Sequence, residues 1–301
     1  MSATGAAGEE LMLIARLIAD AATRETRLDA MADALKGGGT VLAGAAMLPD
    51  GEVLELRFAE GDPVAVLAAL DRFFAPADML VSEQEILVPQ VFVSDMDSTM
   101  IGQECIDELA DYAGIKPQIA AITERAMQGE LDFVEALYER VALLEGLDES
   151  VVDVCLNERI TATPGARTLV ATLGALGTRT VLVTGGFHHF ADPVARMLGF
   201  QRVVGNRLDV VNGQLTGKLL GSITDSAVKA AVLREEAGEG LVSLATGDGA
   251  NDIPMIEAAT YGFAYRAKPK ARAAANGRVD TGDLTSVLRL LGVPRAQWRE
   301  A

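Results

Sequence analysis

Val91-Phe92-Val93-Ser94 runs straight into Asp95-Met96-Asp97-Ser98-Thr99, and no other stretch constrains this chain so strongly. The first four residues read as a buried strand. Two carboxylates follow one residue apart. In an open α/β sheet, ligands gather at the carboxyl ends of the strands. Alternation puts Asp95 and Asp97 on one face if the strand continues, so the loop can aim both at one ligand. Anions this close repel unless a cation or a proton intervenes. The geometry suits a metal-assisted attack by a carboxylate.

Charge narrows the function classes. The chain has 301 residues, half of them hydrophobic, and a formal charge of −17. Up to Pro89 there are 6 basic and 15 acidic residues, so neither half is basic. Phosphate-backbone binding relies on clustered Lys and Arg, so no nucleic-acid partner is expected. An acidic protein that handles an anion must build a local positive site from a metal and a few cations. Cys105 and Cys155 lack metal-ligand spacing and read as reduced thiols. Met1 to Glu10 has no basic start, and no apolar run approaches a membrane span. The expectation by exclusion is a cytoplasmic protein without a membrane partner.

Residues 1–88 read as a small α+β domain. Leu11 to Arg16 suggests a strand, although Leu11 to Ala22 also allows a helix. Thr26 to Leu35 has helical spacing and stops at Gly37-Gly38-Gly39. Thr40 to Met47 and Glu52 to Phe58 form a hairpin around Pro49-Asp50-Gly51. Pro63 to Phe74 is helical, and Asp78 to Ser82 closes a β-α-β-β-α-β order of ferredoxin-like type. Residues 89–301 form the second domain. In it, about 104–161 reads as almost wholly helical, a lid placed directly after the Asp95 strand. From Pro164 onward strands and helices alternate, as in a parallel sheet wrapped by helices. Trp298 to Ala301 reads as a frayed tail.

Further strand ends repeat the theme. Thr184-Gly185-Gly186-Phe187 follows Val181-Leu182-Val183, and a hydroxyl beside glycines can hold a phosphate. A plain Gly-rich turn is the competing reading. Thr246-Gly247-Asp248-Gly249-Ala250-Asn251-Asp252 follows another strand. Asp248 there, with Asp95, makes a hard oxygen site that favours Mg²⁺. Asp252 also suits a helix N-cap. Lys229 precedes that strand on a helix, where an isolated Lys is usually solvated, yet a phosphoryl group among carboxylates needs a cation. In the lid, Glu104 suits an ammonium and Arg140 a carboxylate. Ordinary surface charge would explain both equally. Met127 and Phe133 read as lid core. His188 and His189 rank below the carboxylates, because no Ser-His-Asp pattern or zinc spacing accompanies them.

Together, Asp95-Met96-Asp97-Ser98-Thr99, Thr184-Gly185-Gly186-Phe187, Lys229 and Gly247-Asp248-Gly249-Ala250-Asn251-Asp252 resemble the haloacid dehalogenase superfamily. Within it, Glu104, Ala126-Met127-Gln128-Gly129, Asp132-Phe133 and Arg140-Val141 are similar to the branch that acts on phosphoserine. The likeness runs from about Val91 to Leu291. It implies an α/β fold, a Rossmann-like parallel sheet with a helical cap inserted after the first strand. It also implies Mg²⁺-dependent hydrolysis of O-phospho-L-serine to L-serine and phosphate, the last step of serine biosynthesis. Asp95 would be the nucleophile that forms aspartyl-phosphate, and Asp97 the acid and then the base. Asp95, Asp248 and the main-chain carbonyl of Asp97 would bind Mg²⁺, with Asp252 supporting. Thr184, Gly185, Lys229 and Asn251 would hold the phosphate, and Glu104 and Arg140 the serine. Position 184 departs from the family's frequent Ser. Phosphoryl transfer to homoserine or another small alcohol stays open, as do an amino-acid-sensing platform and a homodimer.

Overall fold

The computed structural model describes residues 13–19, 24–127 and 130–300. Residues 1–12, 20–23, 128–129 and 301 lie outside these, and so do the side chains of Arg24 and Met127.

The first unit comprises β1 (Leu13–Ile18), α1 (Arg24–Lys36), β2 (Val41–Met47), β3 (Leu54–Glu60), α2 (Pro63–Phe74) and β4 (Asp78–Ser82). Its strands lie in the order β2-β3-β1-β4, with every neighbour antiparallel. The alternative helical reading of Leu11 to Ala22 fails over Leu13–Ile18, which pairs along both edges. Asp62 caps α2 by accepting from the Val64 N–H, and Pro63 takes the first helical position, where no N–H partner is needed. Leu13, Leu56, Phe58, Val66, Leu70 and Phe74 belong to the core of this unit.

The second unit opens with β5 (Val91–Ser94). Four helices follow: α3 (Cys105–Tyr112), α4 (Lys116–Met127), α5 (Phe133–Ala142) and α6 (Ser150–Arg159). They form the cap. Asp132 and Glu135 make a reciprocal capping box that fixes the start of α5. The chain returns through α7 (Ala166–Ala175), β6 (Arg179–Phe187), α8 (His188–Leu198), β7 (Arg202–Val211), β8 (Gln214–Leu220) and α9 (Ser226–Ala237). It ends with β9 (Ser243–Gly247), α10 (Ile253–Ala258), β10 (Tyr261–Tyr265), α11 (Pro269–Ala274), β11 (Gly277–Val279) and α12 (Thr285–Leu290).

Strands β11-β10-β9-β5-β6-β7 are parallel, and β8 is antiparallel at the edge. The chain leaves β5 toward β6 on one side and later fills β9 on the other. Asp95 therefore stands at the point where the strand order reverses, the usual crevice for a ligand in such sheets. Strand β4 pairs with β11, so one eleven-stranded sheet runs through both units.

Two sequence expectations need correction. Thr184 to Phe187 is an irregular continuation of β6, because Val183 pairs with Val204 and Phe187 with Asn206. Two extra residues bulge out there, which no turn signal reveals. The tail is docked over its described residues: Trp298 donates through Nε1 to the Val293 carbonyl, and the Arg299 N–H donates to Thr172 Oγ1 on α7. Finally, β11 and α12 are too short for periodicity to mark in the sequence.

Candidate active site

Asp95 begins the loop after β5 and is buried. Its N–H donates to the Thr246 carbonyl on β9. Lys229, on α9, is only 1% exposed and lies among Ala230, Val232 and Leu233 on the buried face of its helix. It donates to Asp95 Oδ1 at 2.5 Å and to Asp252 Oδ1 at 2.7 Å. Lys229 is thus buried beside the carboxylates, unlike the usual solvated Lys on a helix. Its spacing to Val232 and Leu233, at i+3 and i+4, is the sequence signal that marks a core position. Burial opposes its charge, but two adjacent carboxylates raise its pKa above the usual range.

Asp252 is fully occupied as an acceptor. Its Oδ2 takes the N–H groups of Asp248 and Gly249, and it makes no side-chain N-cap for α10. It shapes the loop that carries Asp248. Asp95, Asp248 and Asp252 each offer an oxygen, and these atoms lie within 4.8 Å of one another. With Asp252 already committed, Asp95 and Asp248 supply the available oxygens, a donor set that suits a hard divalent cation. Burial raises the Asp95 pKa well above normal, with Asp252 adding repulsion and Lys229 opposing. Burial also lifts Asp248 to about 6, with Lys268 opposing. A cation that relieves this crowding is favoured by the same electrostatics.

The Asp97 carboxylate stands apart from that cluster. Its Oδ1 accepts from the Cys105 N–H, the first of α3, at 3.1 Å. Burial, then the charge of Glu104, raises its pKa to about 7. A β-carbon on Gly186 would lie 2.8 Å from Asp97 Oδ2 and 3.1 Å from Thr184 Oγ1. Only glycine lets the β6 bulge come this near to Asp97. Ser98 adopts the left-handed conformation, φ 54°, and donates to Glu104 Oε1.

The site opens into a cavity of about 700 Å³ whose lining includes Asp95, Asp97, Thr184, Gly185, Asp248 and Asn251. Glu104 and Arg140 line its cap side. Arg140 has no ion pair among the described residues, and its Nε donates only to the Ala136 carbonyl of its own helix. Burial lowers its pKa, while Asp107 and Glu104 push it back up. Phe133 is not lid core. It is 37% exposed and lines the cavity, with its ring edge over Gly185. His188 pairs with Asp192, and His189 stands near Glu149, so neither reaches the carboxylates. Lys268, 3.7 Å from Asp248, went unnoticed in the sequence because nothing distinguishes it from other exposed lysines.

This geometry has counterparts. The family profile of haloacid dehalogenase-like hydrolases matches residues 92–257. The phosphoserine phosphatase of Streptomyces coelicolor is 45% identical over 212 residues, 69% of this chain and 52% of that enzyme. The match thus spans about half the length of that relative. The phosphoserine phosphatase of Idiomarina loihiensis is 45% identical over 205 residues, 67% of this chain and 93% of that enzyme. The crystal structure of a probable phosphoserine phosphatase from Vibrio cholerae, unliganded, is similar with a TM-score of 0.71 at 31% identity. That likeness covers 93% of this chain and 86% of the other, so it takes in much of the first unit as well. Strand β5 with Asp95, the β6 bulge, Lys229 and the Asp248 loop all fall inside the matched profile, and the chain belongs to the haloacid dehalogenase-like hydrolase family.

Proposed function

We propose that this chain hydrolyses O-phospho-L-serine to L-serine and phosphate through an aspartyl-phosphate on Asp95, with Mg²⁺ as its metal. The observation that carries the reading is the cavity itself. Asp95, Asp97 and Asp248 line it, with Asp95 held by the buried Lys229, and Glu104 with Arg140, which has no ion pair among the described residues, lines its cap side. A phosphate ester with an amine and a carboxylate on its alcohol matches both ends.

Bound by Asp95, Asp248 and the Asp97 main-chain carbonyl, Mg²⁺ would offset the charge of the phosphoryl group. The chain's own residues do the rest. Asp95 attacks phosphorus as the bond to the seryl oxygen breaks, and Asp97 gives that oxygen its proton. In the second step Asp97 takes a proton from water, which attacks phosphorus and frees Asp95. A carboxyl titrating at about 7 can serve both steps at neutral pH. Thr184, Gly185, Lys229 and Asn251 hold the phosphoryl oxygens. Glu104 pairs with the ammonium and Arg140 with the carboxylate, whose planar fork fits it in a low-dielectric wall. Phe133 shields the site from water.

The division into a small unit of residues 1–88 and a phosphatase unit of 89–301, with a cap at about 104–161, belongs to this reading. No helix among the described residues is long and apolar enough to cross a membrane. The test is a panel of phosphate monoesters assayed with and without Mg²⁺. Phosphoserine standing well above the others, only with the metal, is the expected result. Equal rates across the panel would end the assignment of substrate.

A further inference from the structure

Asn206 lies on β7, is 1% exposed, and takes no part in the chemistry described above. Asparagine is depleted in strands, so its buried place inside β7 needs a reason. Its Nδ2 donates to the Gly185 carbonyl at 2.7 Å, and its Oδ1 accepts from the Thr224 N–H at 2.8 Å. These partners fix which end of the amide is which.

The Gly185 carbonyl and the Gly186 N–H belong to one rigid peptide group. The far end of that group is also held, because the Gly186 N–H donates to Thr184 Oγ1 at 2.8 Å. The bulge in β6 removes these groups from regular strand pairing, and buried backbone groups must find partners elsewhere. Asn206 supplies one and Thr184 the other. With an N–H already on its oxygen, the Thr184 hydroxyl keeps its own proton for an acceptor in the cavity. Thr224, in turn, precedes Asp225, which caps α9 by accepting from the Val228 N–H. Helix α9 carries Lys229. One buried amide thus ties the Gly185–Gly186 peptide to the segment that leads into α9.

We infer that Asn206 is a positioning residue for phosphate. It clamps the Gly185–Gly186 peptide so that the Thr184 hydroxyl donates into the site. This rests on the phosphate-ester reading above, though not on which alcohol the ester carries.

The experiment is a double-substitution cycle. Wild type, Asn206→Ala, Thr184→Val and the double variant are titrated with inorganic phosphate by calorimetry in Mg²⁺ and assayed on phosphoserine. The expected loss of phosphate affinity for each single variant is about tenfold. The double variant should be no weaker than the weaker single one, since both remove the same donated hydrogen bond. Losses that multiply would overturn the proposal and reduce Asn206 to a structural amide. Thermal melting accompanies each measurement. If Asn206→Ala fails to fold, Asn206→Ser, which keeps a hydroxyl, carries the same cycle with the same two outcomes. A wild-type chain that binds no phosphate would instead overturn the phosphate-ester reading, and this inference with it.

Discussion

The Lys229 ammonium lies 2.5 Å from Asp95 Oδ1, with both side chains buried. A second contact, 2.7 Å to Asp252, makes it the single positive charge shared by two acids. Removing it would leave those acids facing each other without solvent. We expect Lys229→Met to lose about 3–5 kcal/mol of stability, the cost of an unpaired buried charge. Urea denaturation checks this. Mg²⁺ should restore more stability to the variant than it adds to wild type, and an equal gain in both would contradict the shared-charge account.

Asp95→Asn should abolish turnover and leave the fold intact. The amide keeps an oxygen for Lys229 but cannot attack phosphorus. Because burial disfavours the charged form of Asp95, losing that charge is not expected to lower the melting temperature by more than a few degrees. Near-normal release of inorganic phosphate by this variant would remove Asp95 as nucleophile.

Arg140→Ala should separate substrates. Its guanidinium lines the cavity and has no ion-pair partner among the described residues, so the variant loses a ligand contact and no internal ion pair. The specificity constant is expected to fall at least a hundredfold on phosphoserine and much less on an aryl phosphate. Equal losses on both would take Arg140 out of substrate recognition.

The pH profile should follow Asp97. Phosphoryl capture needs its protonated form, so the burst of aspartyl-phosphate in rapid-quench experiments should slow as pH rises through about 7. Glu104 raises that pKa, so Glu104→Gln should move the limb to lower pH. An unmoved limb would assign the titration to another group.

Acid should loosen the junction between the two units. Asp71 on α2 bonds Arg272 and Arg278 of the second unit, and these hydrogen bonds hold its pKa below normal despite burial. A lowered pKa gives stability that is present above the ordinary carboxylate value, roughly 3.9, and fades as pH falls through the folded value. Asp71→Asn should cost about 1–2 kcal/mol at neutral pH and much less in acid. Denaturant melts across pH would show this, and a pH-independent cost would refute it.

Much of the candidate site was visible in the chain. Asp95, Thr184 and Asp248 each follow a short apolar run, and a run of that kind at a strand end needs no tertiary knowledge to notice. The helical cap was equally legible, because a long stretch of helical spacing at about 104–161 is a local signal. Phe133 reads as lid core along the sequence, and Asn206 and Lys268 carry no signal there. Each looks ordinary along the sequence, and its role depends on what packs against it from far away.

Local order therefore settled the strand ends, the cap and the acidic residues, since periodicity and turn chemistry act over a few neighbours. Only the folded chain decided that β5 sits between β6 and β9, that Lys229 is buried between Asp95 and Asp252, and that β4 joins β11 in one sheet. Those outcomes come from pairing and desolvation between residues distant in sequence, and no window along the chain contains both partners.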